Sequence, residues 1–163
     1  MKKDFVEQLL QQWAEERPGL DVSALGVVVR LQHLGKLLAQ RANRALRQHE
    51  LKHWEYDVLS VLRRQGPPFE MPATDIARAV HLTSGAMTTR IDGLENRRLV
   101  TRRRSGSDGR SVLIRLSANG RKLVDEALHT RLEDAEDVMQ HLPDTERAEL
   151  AACLRKLLTG LES

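Results

Sequence analysis

Two patterns in this 163-residue chain place charged or reactive groups at spacings that chemistry uses. The first is arginine: from Arg97 to Arg115 lie seven arginines (97, 98, 102, 103, 104, 110 and 115) and a single acid, Asp108. Guanidinium groups gathered this way suit a phosphate-rich polyanion, since each offers a rigid fork of donors and a permanent charge. From Arg131 to Glu149 the balance reverses, with seven acids and two arginines, so charge is polarised along the chain although the formal net is only +3. The second pattern is His49-Glu50-Leu51-Lys52-His53, a literal H-E-x-x-H. Zinc hydrolysis needs both imidazoles on one face of a continuous helix, together with a third ligand. Here the string straddles a junction between helices and no third-ligand motif follows. We therefore assign neither a metal nor a cofactor, and a regulatory ion at His49 and His53 is the lesser alternative. No nucleophile, phosphate loop or paired-acid arrangement points to an enzyme. Cys153 lies among Leu150, Leu154 and Leu157 and reads as a packing cysteine.

The elements that must carry the arginines can be read from apolar spacing and from breakers. Phe5, Leu9 and Trp13 recur at i, i+4, i+8 within a first helix of about residues 3–16 that stops at Pro18-Gly19. Asp21 and Ser23 are N-cap candidates for a long second helix to about Gln48, with Leu31, Leu34, Leu38, Ala42 and Ala45 as its stripe. A third helix of about residues 54–64 ends at Gly66-Pro67-Pro68. After a loop at Phe69-Glu70-Met71, Pro72 opens a short helix of residues 73–80, broken at His81-Leu82. Thr83 then caps a helix to about Arg97 that turns Met87, Ile91 and Leu94 inward. Its other side shows Gly85, Thr88 and Thr89, small or hydroxylated, as a helix approaching base edges needs. Two helices about such a turn are the layout of a helix-turn-helix.

Residues 100–104 and 111–116 read as two strands, with turn residues Ser105-Gly106-Ser107-Asp108-Gly109-Arg110 between them. That hairpin carries Arg102, Arg103, Arg104 and, at its tip, Arg110. Helix-turn-helix plus basic hairpin is a winged helix, in which the hairpin lies beside the groove and reaches backbone or minor groove. The predicted fold class is therefore mainly α, a winged helix-turn-helix with N- and C-terminal dimerisation helices. Thr83, Ser84, Gly85, Thr88 and Thr89 are the candidate DNA-reading residues, with Arg102, Arg103, Arg104 and Arg110 on the wing. The rest is helical, with Val124, Leu128, Leu132, Ala135 and Met139 on one helix. A last helix from Asp144 carries Leu150, Leu154, Leu157, Leu158 and Leu161. These stripes exceed what a small winged body can bury, and a two-fold partner copy is the natural cover.

Composition narrows the function classes. The chain is 40% hydrophobic and 30% charged, the balance of a globular protein. Its five aromatics (Phe5, Trp13, Trp54, Tyr56, Phe69) are too few for a module that stacks single-stranded bases. One cysteine forbids an internal disulfide. No apolar run follows Met1-Lys2-Lys3 and none approaches a membrane span, so neither leader nor membrane anchor is expected and the protein is expected in the cytoplasm.

Several stretches together resemble the MarR family of bacterial transcription regulators, in order and spacing over nearly the whole chain. They are Asp75 to Val80, Leu82 to Glu95, Leu99-Val100, Asp108-Gly109-Arg110 and Leu116 to Gly120. The resemblance implies a homodimer that binds double-stranded DNA at a pseudo-palindromic operator, usually represses a nearby gene, and is released by a small ligand or oxidant. Family members that sense peroxide use a cysteine near the N-terminus, which this chain lacks. Within the family the chain resembles the urate-responsive subgroup of PecS- and HucR-like regulators, in which an additional N-terminal helix bears a tryptophan. Trp13, Asp57, Arg64 and Arg90 match that subgroup's ligand-response residues. The implied mechanism has an anionic planar effector such as urate near Trp13, held by Arg64. Its charge repels Asp57 and weakens an Asp57–Arg90 pair that steadies the recognition helix.

This resemblance divides the chain into residues 1–50 (dimerisation and pocket lid), 51–117 (winged DNA-binding core) and 118–163 (C-terminal dimerisation helices). The alternative is a structural DNA-coating protein without a ligand. It would share the arginine wing but bind through phosphates alone, with little sequence preference.

Overall fold

Asp4 sets the start of the first helix: its backbone is extended, and its carboxylate accepts the Glu7 N–H at 2.9 Å. In this computed structural model residues 3–104 and 112–162 are described, and the chain divides into two units, residues 1–44 and 45–163. In the first unit helix α1 (Phe5–Glu16) is joined to α2 (Ser23–Leu46), which runs on past the division. Asp21 supplies the oxygen at the start of α2, accepting from the Ser23 N–H at 2.9 Å, while Ser23 is already helical. Arg30 grips Asp4 with two hydrogen bonds of 2.8 and 3.0 Å. That bond and the Glu7 N–H hold the Asp4 carboxyl below its ordinary value. Gly26 lets the helices approach, since a Cβ there would stand 2.9 Å from a Leu10 methyl. Of the stripe read along α2, Ala42 is buried and Leu31 and Ala45 are half-buried, but Leu34 and Leu38 stand exposed.

The second unit holds the helix-turn-helix and the hairpin. A 3-10 turn, Arg47–His49, and a left-handed residue, Glu50 (φ 53°), precede α3 (His53–Arg64). The two histidines of the H-E-x-x-H string are thus on different elements. His49 Nε2 lies 2.8 Å from Thr130 Oγ1, and His53 Nε2 lies 3.6 Å from Asp57 Oδ1. No group of three potential metal ligands occurs among the described residues.

Then come α4 (Ala73–Ala79), α5 (Ser84–Asn96), the hairpin, α6 (Ala118–Met139) and α7 (Asp144–Leu161). Three antiparallel strands, β1 (Glu70–Pro72), β2 (Val100–Arg104) and β3 (Val112–Leu116), lie in the order β1-β3-β2. Ile114 faces Met71 on one side and Arg102 on the other. Strand β1 corrects the loop expected at Phe69-Glu70-Met71, and Pro72 both ends that strand and stands at the N-cap of α4, where the sequence places the start of the helix. Three residues are too short to show a period of two, and only pairing with β3 defines the strand.

The core gathers Val58, Leu59 and Leu62 of α3, Ile76 of α4, Met87, Ile91 and Leu94 of α5, and Ile114 of β3, all essentially without solvent contact. Val124 and Ala127 of α6 close it. Ser117 caps α6, accepting from the Gly120 N–H at 2.9 Å and donating to the Arg98 carbonyl at 2.8 Å. A Cβ on Gly120 would meet the Leu99 carbonyl oxygen at 2.1 Å, so only glycine fits where α6 crosses the end of the helix-turn-helix. Among the described residues no helix is long and apolar enough to cross a membrane.

Candidate nucleic-acid interface and ligand cleft

Thr83 is in extended conformation and its hydroxyl accepts from the Ala86 N–H at 3.4 Å, starting α5 where the sequence predicts. The helix then divides its residues by the 3.6-residue period. Met87, Ile91 and Leu94 are buried, whereas Thr83, Ser84, Gly85, Thr88 and Thr89 are exposed on the other side. Nothing lies within 4 Å of a Cβ at Gly85, and the Thr88 hydroxyl turns back onto the Ser84 carbonyl at 3.1 Å. The turn between α4 and α5 is made by His81 in the left-handed region (φ 53°), a conformation uncommon for a residue with a Cβ.

The wing arginines do different things. Arg102 bonds back to α5: its Nη1 donates to Glu95 at 2.7 Å, its Nη2 pairs with Asp92, and its backbone N–H reaches Glu95 at 3.1 Å. These bonds fasten strand β2 to the outer side of α5. Arg103 Nη2 lies 3.2 Å from Glu70 on β1. Arg104 pairs with Val112 in the ladder. Arg110, with Asp108, lies outside the described residues.

A cleft of about 350 Å³ opens beside the same turn, lined by Asp57, Ser60, Val61 and Arg64 of α3 and by Ala79, Val80 and His81. It brings together Asp57 and Arg64, seven residues apart on one helix face. Arg64 Nε donates to the Ser60 carbonyl at 3.3 Å, and Arg64 has no ion-pair partner among the described residues. Burial pushes the Asp57 carboxyl up from its ordinary value, partly offset by the charges of His53, Arg131, Arg90 and Arg64.

Arg90 points to α3, with its guanidinium carbon 4.9 Å from the centroid of the Trp54 ring. It is a cation over an aromatic face, where the resemblance implies an Asp57–Arg90 pair. The indole competes for that guanidinium, and the Arg90 charge reaches Asp57 only through space. Trp13 belongs to the first unit, where it is 44% exposed beside Leu9, Gln12 and Glu16.

Sequence reasoning missed two residues here. His81, read only as a helix break, lines the cleft. Glu55 is the sole charged residue buried among those described, at 5% exposure. Its carboxylate accepts from the Lys52 N–H at 2.8 Å and from Arg97 Nη1 at 2.8 Å. The signal for Glu55 was its place three residues after the N-cap Lys52, where a carboxylate can reach back to the N-cap N–H.

Helix-turn-helix, three-stranded sheet and hairpin define a winged helix-turn-helix protein. The MarR family profile matches residues 49–111. The transcriptional regulator PecS of Dickeya dadantii is 29% identical over 152 residues, spanning 93% of this chain and 92% of that protein. Solved structures with the same fold include a MepR–DNA complex from S. aureus (TM-score 0.75, 22% identity, 82% of this chain and 96% of that one). Another is CouR of Rhodococcus jostii RHA1 bound to p-coumaroyl-CoA (TM-score 0.69, 24% identity, 80% and 90%). A MarR-family domain thus occupies residues 49–111, and over nearly its whole length the chain is similar to a helix-turn-helix transcriptional regulator.

Proposed function

We propose that the chain works as a homodimer on a pseudo-palindromic operator in double-stranded DNA, represses transcription there, and is released by a small anionic aromatic effector of which urate is the type. The observation that carries this reading is the cleft that sets Arg64 and the half-buried Asp57 against the turn leading into α5. Thr83, Ser84, Gly85, Thr88 and Thr89 face the major groove, Arg103, Arg104 and Arg110 serve the phosphates and minor groove, and Arg102 aligns helix and hairpin. Residues 51–117 are the reading unit, and residues 1–50 and 118–163 supply dimer contacts. Such work on chromosomal DNA belongs in the cytoplasm.

The chemistry of release follows from the charges. Arg64 has no carboxylate partner among the described residues, so an anionic planar ligand takes charge-assisted hydrogen bonds from it. The ligand's negative charge is then set against Asp57, whose ionised form burial already disfavours. The carboxyl group takes up a proton or moves, and α3 moves with it. Arg90 and Trp13 join the ligand set by resemblance. The part of Trp13 is read from whether Trp13→Phe alters the urate response.

The test is fluorescence anisotropy of a labelled duplex from the DNA just upstream of this gene, against a scrambled duplex, with and without urate. Preference for the upstream duplex that urate abolishes in the wild type but not in Arg64→Ala is the expected result. Preference untouched by urate removes urate as effector, and equal binding to both duplexes favours the DNA-coating alternative. Arg110→Ala is expected to weaken operator binding and leave the dimer intact.

A further inference from the structure

Apolar contacts bury one side of α5, yet such contacts are non-directional and leave rotation and sliding of a helix poorly determined. Two cationic contacts add the missing definition. Arg90 and Arg97 are seven residues apart, two turns or about 10.5 Å along the axis, and both meet the first turn of α3. Arg90 lies over Trp54, and Arg97 Nη1 bonds Glu55. Trp54 also faces α5 at Gly93, where a Cβ would touch its ring at 4.0 Å. Glu55 is well suited to hold position, because one oxygen is fixed by the Lys52 N–H of its own helix and the other by Arg97. Arg97 in turn sits where α5 ends, one residue before left-handed Arg98 and three before β2.

We infer that Glu55 and Arg97, with Trp54 and Arg90, form a clamp that fixes the register of the recognition helix against α3, and that Glu55 and Arg97 are positioning residues for sequence-specific DNA binding. The clamp also gives the effector its lever: Asp57 follows Glu55 by two residues, so a displacement of α3 at the cleft reaches Arg97 through one hydrogen bond. That second half rests on the ligand-response reading above.

Glu55→Gln separates the clamp from the cap, since the amide oxygen still accepts the Lys52 N–H while the charge facing Arg97 is gone. Arg97→Gln removes the other half from a partly exposed position and decides the matter should Glu55→Gln not fold. Hydrogen exchange of the α5 amides is read first, because it needs neither operator nor ligand. Both glutamine variants are expected to exchange several-fold faster than wild type across residues 84–96, with Arg97→Lys between them and wild type.

The ratio of affinities for the upstream and scrambled duplexes is expected to fall about tenfold, while scrambled-duplex affinity at low salt holds, because phosphate contacts survive. Urate is expected to change the residual binding of the variants less than that of the wild type. Unchanged α5 exchange, or a lowered melting temperature with the duplex ratio intact, overturns the proposal and leaves Glu55 a cap for α3. A wild type without duplex preference sinks the regulator reading, and the exchange measurement then decides the clamp alone.

Discussion

Helices α3 and α7 are both amphipathic, and the structure treats them in opposite ways. Over its twelve residues α3 buries Glu55, Val58, Leu59, Val61 and Leu62, whereas the eighteen residues of α7 bury none. Leu157, Leu158 and Leu161 of α7 stand 48%, 58% and 85% exposed. At its start α7 is held by Arg147, which donates to the Met139 and Leu142 carbonyls at 3.0 and 2.9 Å and to Glu136 at 2.7 Å. The difference teaches that the winged part completes its core within one chain, while α7 carries an apolar stripe of interface composition that this chain leaves uncovered. A second copy is the cover proposed above.

That contrast can be broken or sharpened by substitution. The largest effect is expected for Leu59→Ala, which opens a cavity in a fully buried site and destabilises the winged unit by about 2–5 kcal/mol in denaturant unfolding. A loss below about 1 kcal/mol would mean that the core is looser than its burial implies. Gly120→Ala comes next, at about 1–3 kcal/mol, because the clash is with a backbone oxygen that no rotamer change relieves. A neutral result would show that α6 can lift from Leu99.

A smaller effect, with a definite pH dependence, is expected for Asp57→Asn. Burial raises the folded-state pKa of Asp57 above its ordinary value of 3.8, so the protonated form suits the fold. Its contribution is fully present below the unfolded pKa and is lost as pH rises through the folded one. At neutral pH the ionised carboxylate therefore opposes folding, and Asp57→Asn should raise the melting temperature at pH 7, with the gain vanishing on acidification. A loss at pH 7 would show that the His53 contact outweighs desolvation, and a gain independent of pH would show that ionisation of Asp57 is not its source.

The smallest effect on the winged unit is expected for Leu158→Asp. Amide exchange of α5 and of the strands should stay as in wild type, while sedimentation reports loss of self-association. Equal loss of protection in the winged core would erase the distinction between the two helices.

Much of this was legible in the chain itself, and what was not has physical reasons. Thr83, Met87, Ile91 and Leu94 announce α5 because a cap and a 3.6-residue period are local properties. Strand β1 was hidden because Glu70–Pro72 acquires its identity only from β3. Arg102 reads as one more phosphate ligand in a basic run, and only the return of the hairpin onto α5 shows it bonded to Asp92 and Glu95. Asp57 and Arg64 were legible as neighbours on a helix face, but the cleft needs His81 from the following turn. The Arg90–Trp54 contact depends on how α5 crosses α3, which spacing along either helix does not encode.

The exposed side of α5 has an evolutionary consequence. Ser84, Gly85 and Thr89 are exposed, and a side chain added at Gly85 meets open space. On the reading proposed above, mutations there would change which bases are met without taxing the fold, so descendants of this chain could explore new binding sequences by single steps. Met87, Ile91 and Leu94, on the same helix, must stay nearly as they are.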